Sequence, residues 1–311
     1  MRHLLTLRET SESDIRFLLD TATALKEILQ RPVKKVPTLR GRAMVTCFYE
    51  NSTRTRTSFE MAAKIMSAEA INIAVAQSSV AKGESLKDTV RTLQALQADC
   101  LVVRHPSSGA AHFIASQVRI PVVNAGDGRH EHPTQGLLDL FTIRQIKGEL
   151  QGLEVAIVGD IAHSRVARSN IWGLTRMGAR VRLVGPRTLL PADVDRLPVQ
   201  VYTDLRSGLE GVDVVNVLRL QTERMEKGLL PSLREYSRLF GISVQSLRVA
   251  RPDVLVLHPG PMNRGVEISD EVADGACGVR SAVEEQVTNG VAVRMAVLYL
   301  LMGGGGMSGQ D

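Results

Sequence analysis

The sequence predicts an α/β fold of two domains, each a parallel sheet flanked by helices, with the active site in the interdomain cleft. Three observations carry this. Short apolar runs of strand length alternate with stretches of helical period from residue 43 to residue 302, the pattern of parallel sheets covered on both faces. The alternation is reset by the glycine-bounded segment 148–152. The unusual polar residues repeatedly follow an apolar run, the end of an open parallel sheet at which ligands bind.

The chain opens with a helix over 11–30, where Ile15, Leu18, Leu19, Ala22, Leu25 and Ile28 form one stripe. Pro32 and Pro37 mark a connection. A strand over 43–49 precedes a helix from Ser52, with Phe59, Ala62, Ala63 and Met66 at helical spacing. A strand over 71–76 precedes a polar loop, 77–84, and a helix from Ser85. A strand over 100–103 precedes a short helix near 108–116, and one over 122–124 precedes a Gly/Asp/His loop and a helix over 134–147. After the reset come a strand at 155–158, a helix at 165–177 and a strand at 181–184. A strand at 214–218 leads into a polar segment, 219–241, and a strand at 254–257 ends in His258-Pro259-Gly260-Pro261. The final helix runs over 282–302 and packs back onto the first domain, and the glycine-rich tail after it is expected to be disordered. The expected domains are residues 1–133 plus 285–311, and residues 134–284, bridged by the helix at 134–147.

A length of 311 residues suits two domains, and 44% hydrophobic with 23% charged residues is ordinary for a globular chain. Aromatics make up only 4%, too few for base-stacking nucleic-acid modules. The net charge of +5 comes from scattered arginines, which suit small anions better than a nucleic-acid backbone. No window approaches the roughly 18 apolar residues of a membrane span, and residues 1–5 lack the core of a signal peptide. Cys47, Cys100 and Cys277 are unpaired by spacing and fit a reducing compartment. The expectation is a cytoplasmic protein with no membrane and no nucleic-acid partner.

Residues Asn51 to Arg56 gather hydroxyls, a helix start and two arginines. Such a terminus offers amide donors and a favourable dipole to an anion, and arginine adds bidentate phosphate contacts. The alternative is a polar helix cap with two solvated arginines. Arg104-His105, the stretch Gly126 to Gln135, Gly159-Asp160 with Arg165, Arg219 with Gln221, and His258-Pro259 follow the other strands. Six strand ends thus converge on an arginine-rich rim that suits a ligand with more than one negative charge. His130-Glu131-His132 is a poor zinc site, because it lacks a third spaced ligand. His132 as a donor to a substrate oxygen is the better reading, and no metal is expected. Neither G-x-G-x-x-G nor G-x-x-x-x-G-K-[ST] occurs, which disfavours NAD and ATP, and no G-x-S-x-G surrounds Ser52 or Ser58.

These residues resemble a known family. Ser52-Thr53-Arg54-Thr55-Arg56 with Phe59-Glu60, then Val102-Val103-Arg104-His105-Pro106, then His132-Pro133-Thr134-Gln135 after Asn124 to Gly128 are similar to the signatures of the aspartate and ornithine carbamoyltransferases. The likeness covers nearly the whole chain, with the motifs in family order. Lys82-Gly83-Glu84-Ser85, Arg219-x-Gln221-x-Glu223-Arg224 and His258-Pro259-Gly260-Pro261 resemble the aspartate branch. An arginine-rich acceptor pocket suits a dicarboxylate and repels a diamino acid. Gly260 departs from the leucine of many relatives.

The resemblance implies transfer of a carbamoyl group from carbamoyl phosphate to the α-amine of L-aspartate, in pyrimidine biosynthesis, without a cofactor. It implies that Ser52, Thr53, Arg54 and Thr55 hold the phosphate, and that Arg104 bridges phosphate and carbonyl oxygen. His132 and Thr55 polarise the carbonyl, and Gln135 grips the carbamoyl amide. Gly260 and Pro261 contact carbamoyl phosphate. Arg165, Arg219 and Gln221 bind the aspartate carboxylates. Ser78 and Lys82 come from a neighbouring subunit of a homotrimer with shared active sites. Glu50 latches domain closure with Arg165 and Arg224. A regulatory chain or a dihydroorotase as a further partner is left open. The alternatives are a carbamoyltransferase for another acceptor such as ornithine, a non-catalytic anion-binding subunit, and, third, a nucleic-acid-binding protein.

Overall fold

The computed structural model describes residues 1–74, 84–221 and 228–303. The chain forms two units, Met1–Leu138 with Thr288–Asp311, and Asp139–Val287. The polar loop expected at 77–84 lies outside the described residues except for Glu84, as does the tail beyond Gly303.

In the first unit, helix α1 (Glu12–Lys26) is capped by Ser11, whose hydroxyl accepts from the Asp14 amide, and buries Ile15, Leu18, Leu19 and Ala22. Four parallel strands follow: β1 (Ala43–Phe48), β2 (Glu69–Ala74), β3 (Cys100–His105) and β4 (Val122–Asp127), in the order β2-β1-β3-β4. Between them lie α2 (Thr53–Ile65) and α3 (Leu86–Ala95), then α4 (Ala110–Gln117), and α5 (Pro133–Lys147) follows β4. The free edge of β4 is met by the start of the chain: Leu4 donates to Val122 O and accepts from the Asn124 amide. Val45, Cys47, Leu101, Val103, Val122 and Ile114 fill the core under this sheet.

The second unit holds a six-stranded parallel sheet. Its strands are β5 (Glu154–Val158), β6 (Arg180–Val184), β7 (Gln200–Tyr202), β8 (Val214–Val217), β9 (Leu255–Leu257) and β10 (Arg280–Ser281). They run in the order β10-β9-β8-β5-β6-β7. Helices α6 (Arg165–Arg176), α7 (Leu205–Leu209), α8 (Leu233–Phe240) and α9 (Asp270–Ala273) connect them. Ala156, Val158, Val215, Val217 and Val256 pack with Tyr236 and Phe240. Helix α10 (Val283–Met302) ends the described chain, and from Thr288 onward it belongs to the first unit. There the buried Arg294 donates to Ser58 Oγ (3.0 Å) and Gly290 O (2.9 Å), and its guanidinium lies over the Phe59 ring.

Several elements differ from the sequence expectation. β2 begins two residues early, because its parallel register with β1 starts at Ala43↔Glu69. β3 and β4 run on through Arg104-His105 and Gly126-Asp127, polar residues that end an apolar pattern but continue the ladder. β7, β10 and the short helices α7 and α9 are too brief for periodicity to reveal. The polar segment 219–241 contains α8, started by Ser232 as its cap.

Candidate active site

In the first unit the expected phosphate residues stand at the carboxyl ends of parallel strands. Four residues separate the end of β1 from the start of α2, the last of them Ser52 at its N-cap. The Ser52 hydroxyl makes no capping bond, unlike Ser85 and Ser164, which cap α3 and α6. A helix start whose cap hydroxyl makes no capping bond is suited to an anion, in a field that favours one. Thr55 is buried while Thr53 and Arg54 are exposed.

Arg104 ends up beside this turn through sheet register: it pairs with Phe48 across β1 and β3, and its carbonyl accepts from the Tyr49 amide at 2.8 Å. Its Nη1 donates to Ala125 O (3.2 Å), and its Nε stands 3.3 Å from Glu50 Oε2. The structure therefore pairs Glu50 with Arg104 inside the first unit. Next along the chain, the His105 ring packs on Tyr49 with centroids 4.8 Å apart, and its Nδ1 accepts from the Ser107 amide. Burial lowers the pKa of His105 against the opposing pull of Glu50 and Asp127.

The loop between β4 and α5 is built on three buried polar side chains. Asn124 donates to Asp127 Oδ1 (2.8 Å) and to Leu5 O (2.9 Å), and accepts from the Gly126 amide. Asp127 also accepts from the amides of Gly109 and Glu131 and from His130 Nδ1. Burial pushes the Asp127 carboxyl up, but hydrogen bonds from His130, Asn124 and Gly109 outweigh it and hold the group below its usual range. Glu131 accepts from the Leu7 amide at 2.7 Å. His130 and Glu131 are thus frame residues, and among the described residues no cluster of three or more His, Cys, Asp or Glu suits a metal ion. His132 stays buried immediately before Pro133 opens α5, and its carbonyl accepts from Gln135 and Gly136. Proline suits this first helical position because it carries no amide donor.

In the second unit Arg165 is the first residue of α6 and only 4% exposed. Asp160, buried after β5, accepts from His163 Nδ1 (2.7 Å) and from the Gln221 amide (3.3 Å). It thereby fixes the backbone at the end of the segment bearing Arg219 and Gln221. Gly159 is required here: its φ is +127°, and a Cβ would meet Leu218 O at 2.9 Å. After β9, the Gly260 amide donates to His258 Nδ1 (2.8 Å), and His258 Nε2 lies 3.2 Å from the buried Glu267. Gly260 has φ +61°, a conformation that favours glycine at this position. Pro261 follows it. Ser78, Lys82 and Arg224 lie outside the described residues.

Residues 2–145 match the model for the aspartate/ornithine carbamoyltransferase carbamoyl-P binding domain, and residues 151–301 match that for the Asp/Orn binding domain of the same family. The chain belongs to the aspartate/ornithine carbamoyltransferase family. Within this carbamoyltransferase family, the aspartate carbamoyltransferase catalytic subunit of Heliobacterium modesticaldum is 61% identical over 305 residues, 98% of this chain and 97% of that relative. The solved aspartate transcarbamoylase of Trypanosoma cruzi in complex with N-(phosphonacetyl)-L-aspartic acid is similar at 31% identity and a TM-score of 0.86. That match covers 96% of this chain and 95% of the other. The ornithine carbamoyltransferase of Pyrococcus furiosus matches at 27% identity and a TM-score of 0.85, over 97% of both chains.

The sequence reading missed the residues that hold the site in shape. Asn124 and Asp127 appeared only within motif and loop runs, Glu131 only in a metal reading, and Asp160 only as a neighbour of Arg165. A buried position for a polar residue next to an apolar run is the signal they share, and burial is read from the fold.

Proposed function

We infer that the chain is an aspartate carbamoyltransferase, a transferase acting on carbamoyl phosphate and L-aspartate to give N-carbamoyl-L-aspartate and phosphate. The observation that carries this is the uncapped first turn of α2 set in register with Arg104, which supplies oriented amide and guanidinium donors for a phosphoryl group. The fold is shared by both acceptor branches, and the aspartate choice is supported by the 61% identity to an aspartate carbamoyltransferase catalytic subunit.

The reaction needs no covalent intermediate on the protein. The neutral α-amine of aspartate attacks the carbamoyl carbon, the carbon–oxygen bond to phosphate breaks, and the amine proton leaves with the phosphate. Ser52, Thr53, Arg54 and Thr55 hold the phosphoryl group, and Arg104 and His132 stabilise the oxyanion that forms. Gln135, Gly260 and Pro261 orient the carbamoyl group. Arg165, Arg219 and Gln221 take the aspartate carboxylates. Orientation of two bound reactants supplies much of the rate.

The assembly in this proposal is a homotrimer in the cytoplasm, with Ser78 and Lys82 reaching the site of a neighbouring copy. Met61 and Ile71, each about half exposed, are apolar surface that such a copy would cover. Glu50 and Arg224 serve domain closure, Glu50 exchanging its Arg104 partner for that role. The reaction belongs to pyrimidine biosynthesis.

The test is an acceptor assay on the purified chain with carbamoyl phosphate. Aspartate should support phosphate release and carbamoyl-aspartate formation, and N-(phosphonacetyl)-L-aspartate should inhibit strongly by occupying both substrate positions. Turnover with ornithine and none with aspartate would overturn the reading.

A further inference from the structure

Asp139 is the odd residue of α5. Its neighbours Leu137, Leu138, Leu140 and Phe141 are all buried apolar side chains, and Asp139 is itself fully buried. Its carboxylate is surrounded by amides. Oδ1 accepts from Gln286 Nε2 at 2.7 Å, and Oδ2 accepts from Asn170 Nδ2 at 2.7 Å and from Asn216 Nδ2 at 3.4 Å. Gln286 Oε1 in turn accepts from the His258 amide at 2.8 Å. Asn170, Asn216, Gln286 and His258 are each no more than 3% exposed.

Gln286 lies on α10, and the other three partners lie on or next to elements that carry the second unit's site. Asn170 lies on α6, little more than one turn from Arg165. Asn216 lies in β8, which ends just before Arg219. His258 directly follows β9 and receives the Gly260 amide. An apolar residue at 139 would complete the core without the cost of burying a charge. A carboxylate that grips three amides fixes those elements against each other instead.

We propose that Asp139 is a positioning residue for the acceptor site, acting through Asn170, Asn216 and Gln286 to hold Arg165, Arg219 and the His258–Pro261 loop in binding register. The proposal rests on the assignment of Arg165, Arg219 and Gln221 to aspartate. It concerns hydrogen-bond connectivity rather than charge, and the structure shows how to separate the two. The Oδ1 atoms of Asn170 and Asn216 have no hydrogen-bond partner among the described residues. In Asp139→Asn, the new amide meets Asn170 Nδ2 donor to donor, and a flip of the Asn170 amide turns its Oδ1 into the acceptor. Asp139→Leu offers no such repair.

The experiment compares Asp139→Leu, Asp139→Asn and Gln221→Ala in the full chain, measuring kcat, KM for aspartate and Kd for inorganic phosphate. Asp139→Leu should raise the aspartate KM by roughly tenfold or more, the size of one or two lost buried hydrogen bonds, with phosphate Kd unchanged. Asp139→Asn should recover most of that loss. A merely structural role would lower the active fraction, and so kcat, without moving KM. An unchanged KM in folded Asp139→Leu, or a failure of Asp139→Asn to recover, overturns the proposal. If Asp139→Leu does not fold, Gln286→Leu and Asn170→Leu each cut one link, and an unchanged aspartate KM in both overturns it equally. Gln221→Ala separates the two readings: if it leaves KM at the wild-type value, the aspartate assignment has failed, and if it raises KM while Asp139→Leu does not, only the positioning role has failed.

Discussion

At Arg104 one side chain is held by a structural carbonyl and, in the proposed reaction, also serves the oxyanion. Nη1 is held by Ala125 O on β4, and Nε faces Glu50. This fixes the guanidinium plane before any substrate arrives, which is what makes a donor effective in a transition state. Arg104→Ala should lower kcat/KM by about 10²–10³-fold, the loss typical of one oxyanion donor. Arg104→Lys should restore little, since a lysine cannot reproduce two fixed donors. Steady-state kinetics with both substrates varied checks this. The position of Arg104 at a strand end was legible in the sequence, because it follows an apolar strand run. Its pairing with Glu50 was not, since that depends on the register of β1 against β3.

At the scale of elements, the loop between β4 and α5 owes its shape to Asp127. The depressed pKa of Asp127 has a definite consequence for stability. Its stabilisation is complete above the unfolded value of about 3.9 and is lost as pH falls through the lower native value. Asp127→Asn should therefore cost about 2 kcal/mol near neutral pH, by loss of charge-assisted hydrogen bonds. The gap from wild type should shrink as pH drops below about 4. Urea midpoints measured across that range give the comparison, and a gap independent of pH would contradict it. The elements themselves were largely readable. Long strands and amphipathic helices declare their period, and α1, α2 and α6 sit where it puts them. α8 was masked by surrounding charge, although Ser232 with Glu235 three residues later is a start signal, and the Glu235 amide does donate to Ser232 Oγ at 3.0 Å. β7 and β10 owe their existence to the neighbouring strands they pair with, which no local pattern encodes.

For the molecule as a whole, the shared-site reading makes activity a property of the assembly. Lys82→Ala and Arg54→Ala chains, each inactive alone, should regain activity when dissociated, mixed and reassembled, because some sites then combine two intact contributions. Full recovery is not expected, since a random mixture also forms sites with both lesions. Hybrids that are demonstrably formed yet inactive would argue that each copy works alone. The two-domain pattern and its repeated polar strand ends were visible from the sequence. The hydrogen-bonded supports were not: Asp139 sits among buried apolar neighbours, and its partners Asn170, Asn216 and Gln286 are distant in the sequence.

The first unit is also discontinuous along the chain. Leu4 closes one edge of its sheet at the very start, and Arg294 reaches Ser58 from the last helix. During synthesis on the ribosome the second unit, Asp139–Val287, is complete while the first still lacks the stretch that binds the back of α2. The α2 turn proposed to bind phosphate therefore gains its contact with Arg294 only after the second unit has emerged. On the proposed assignment, a chain released before α10 would carry a finished acceptor unit and a donor unit still without its Arg294 support.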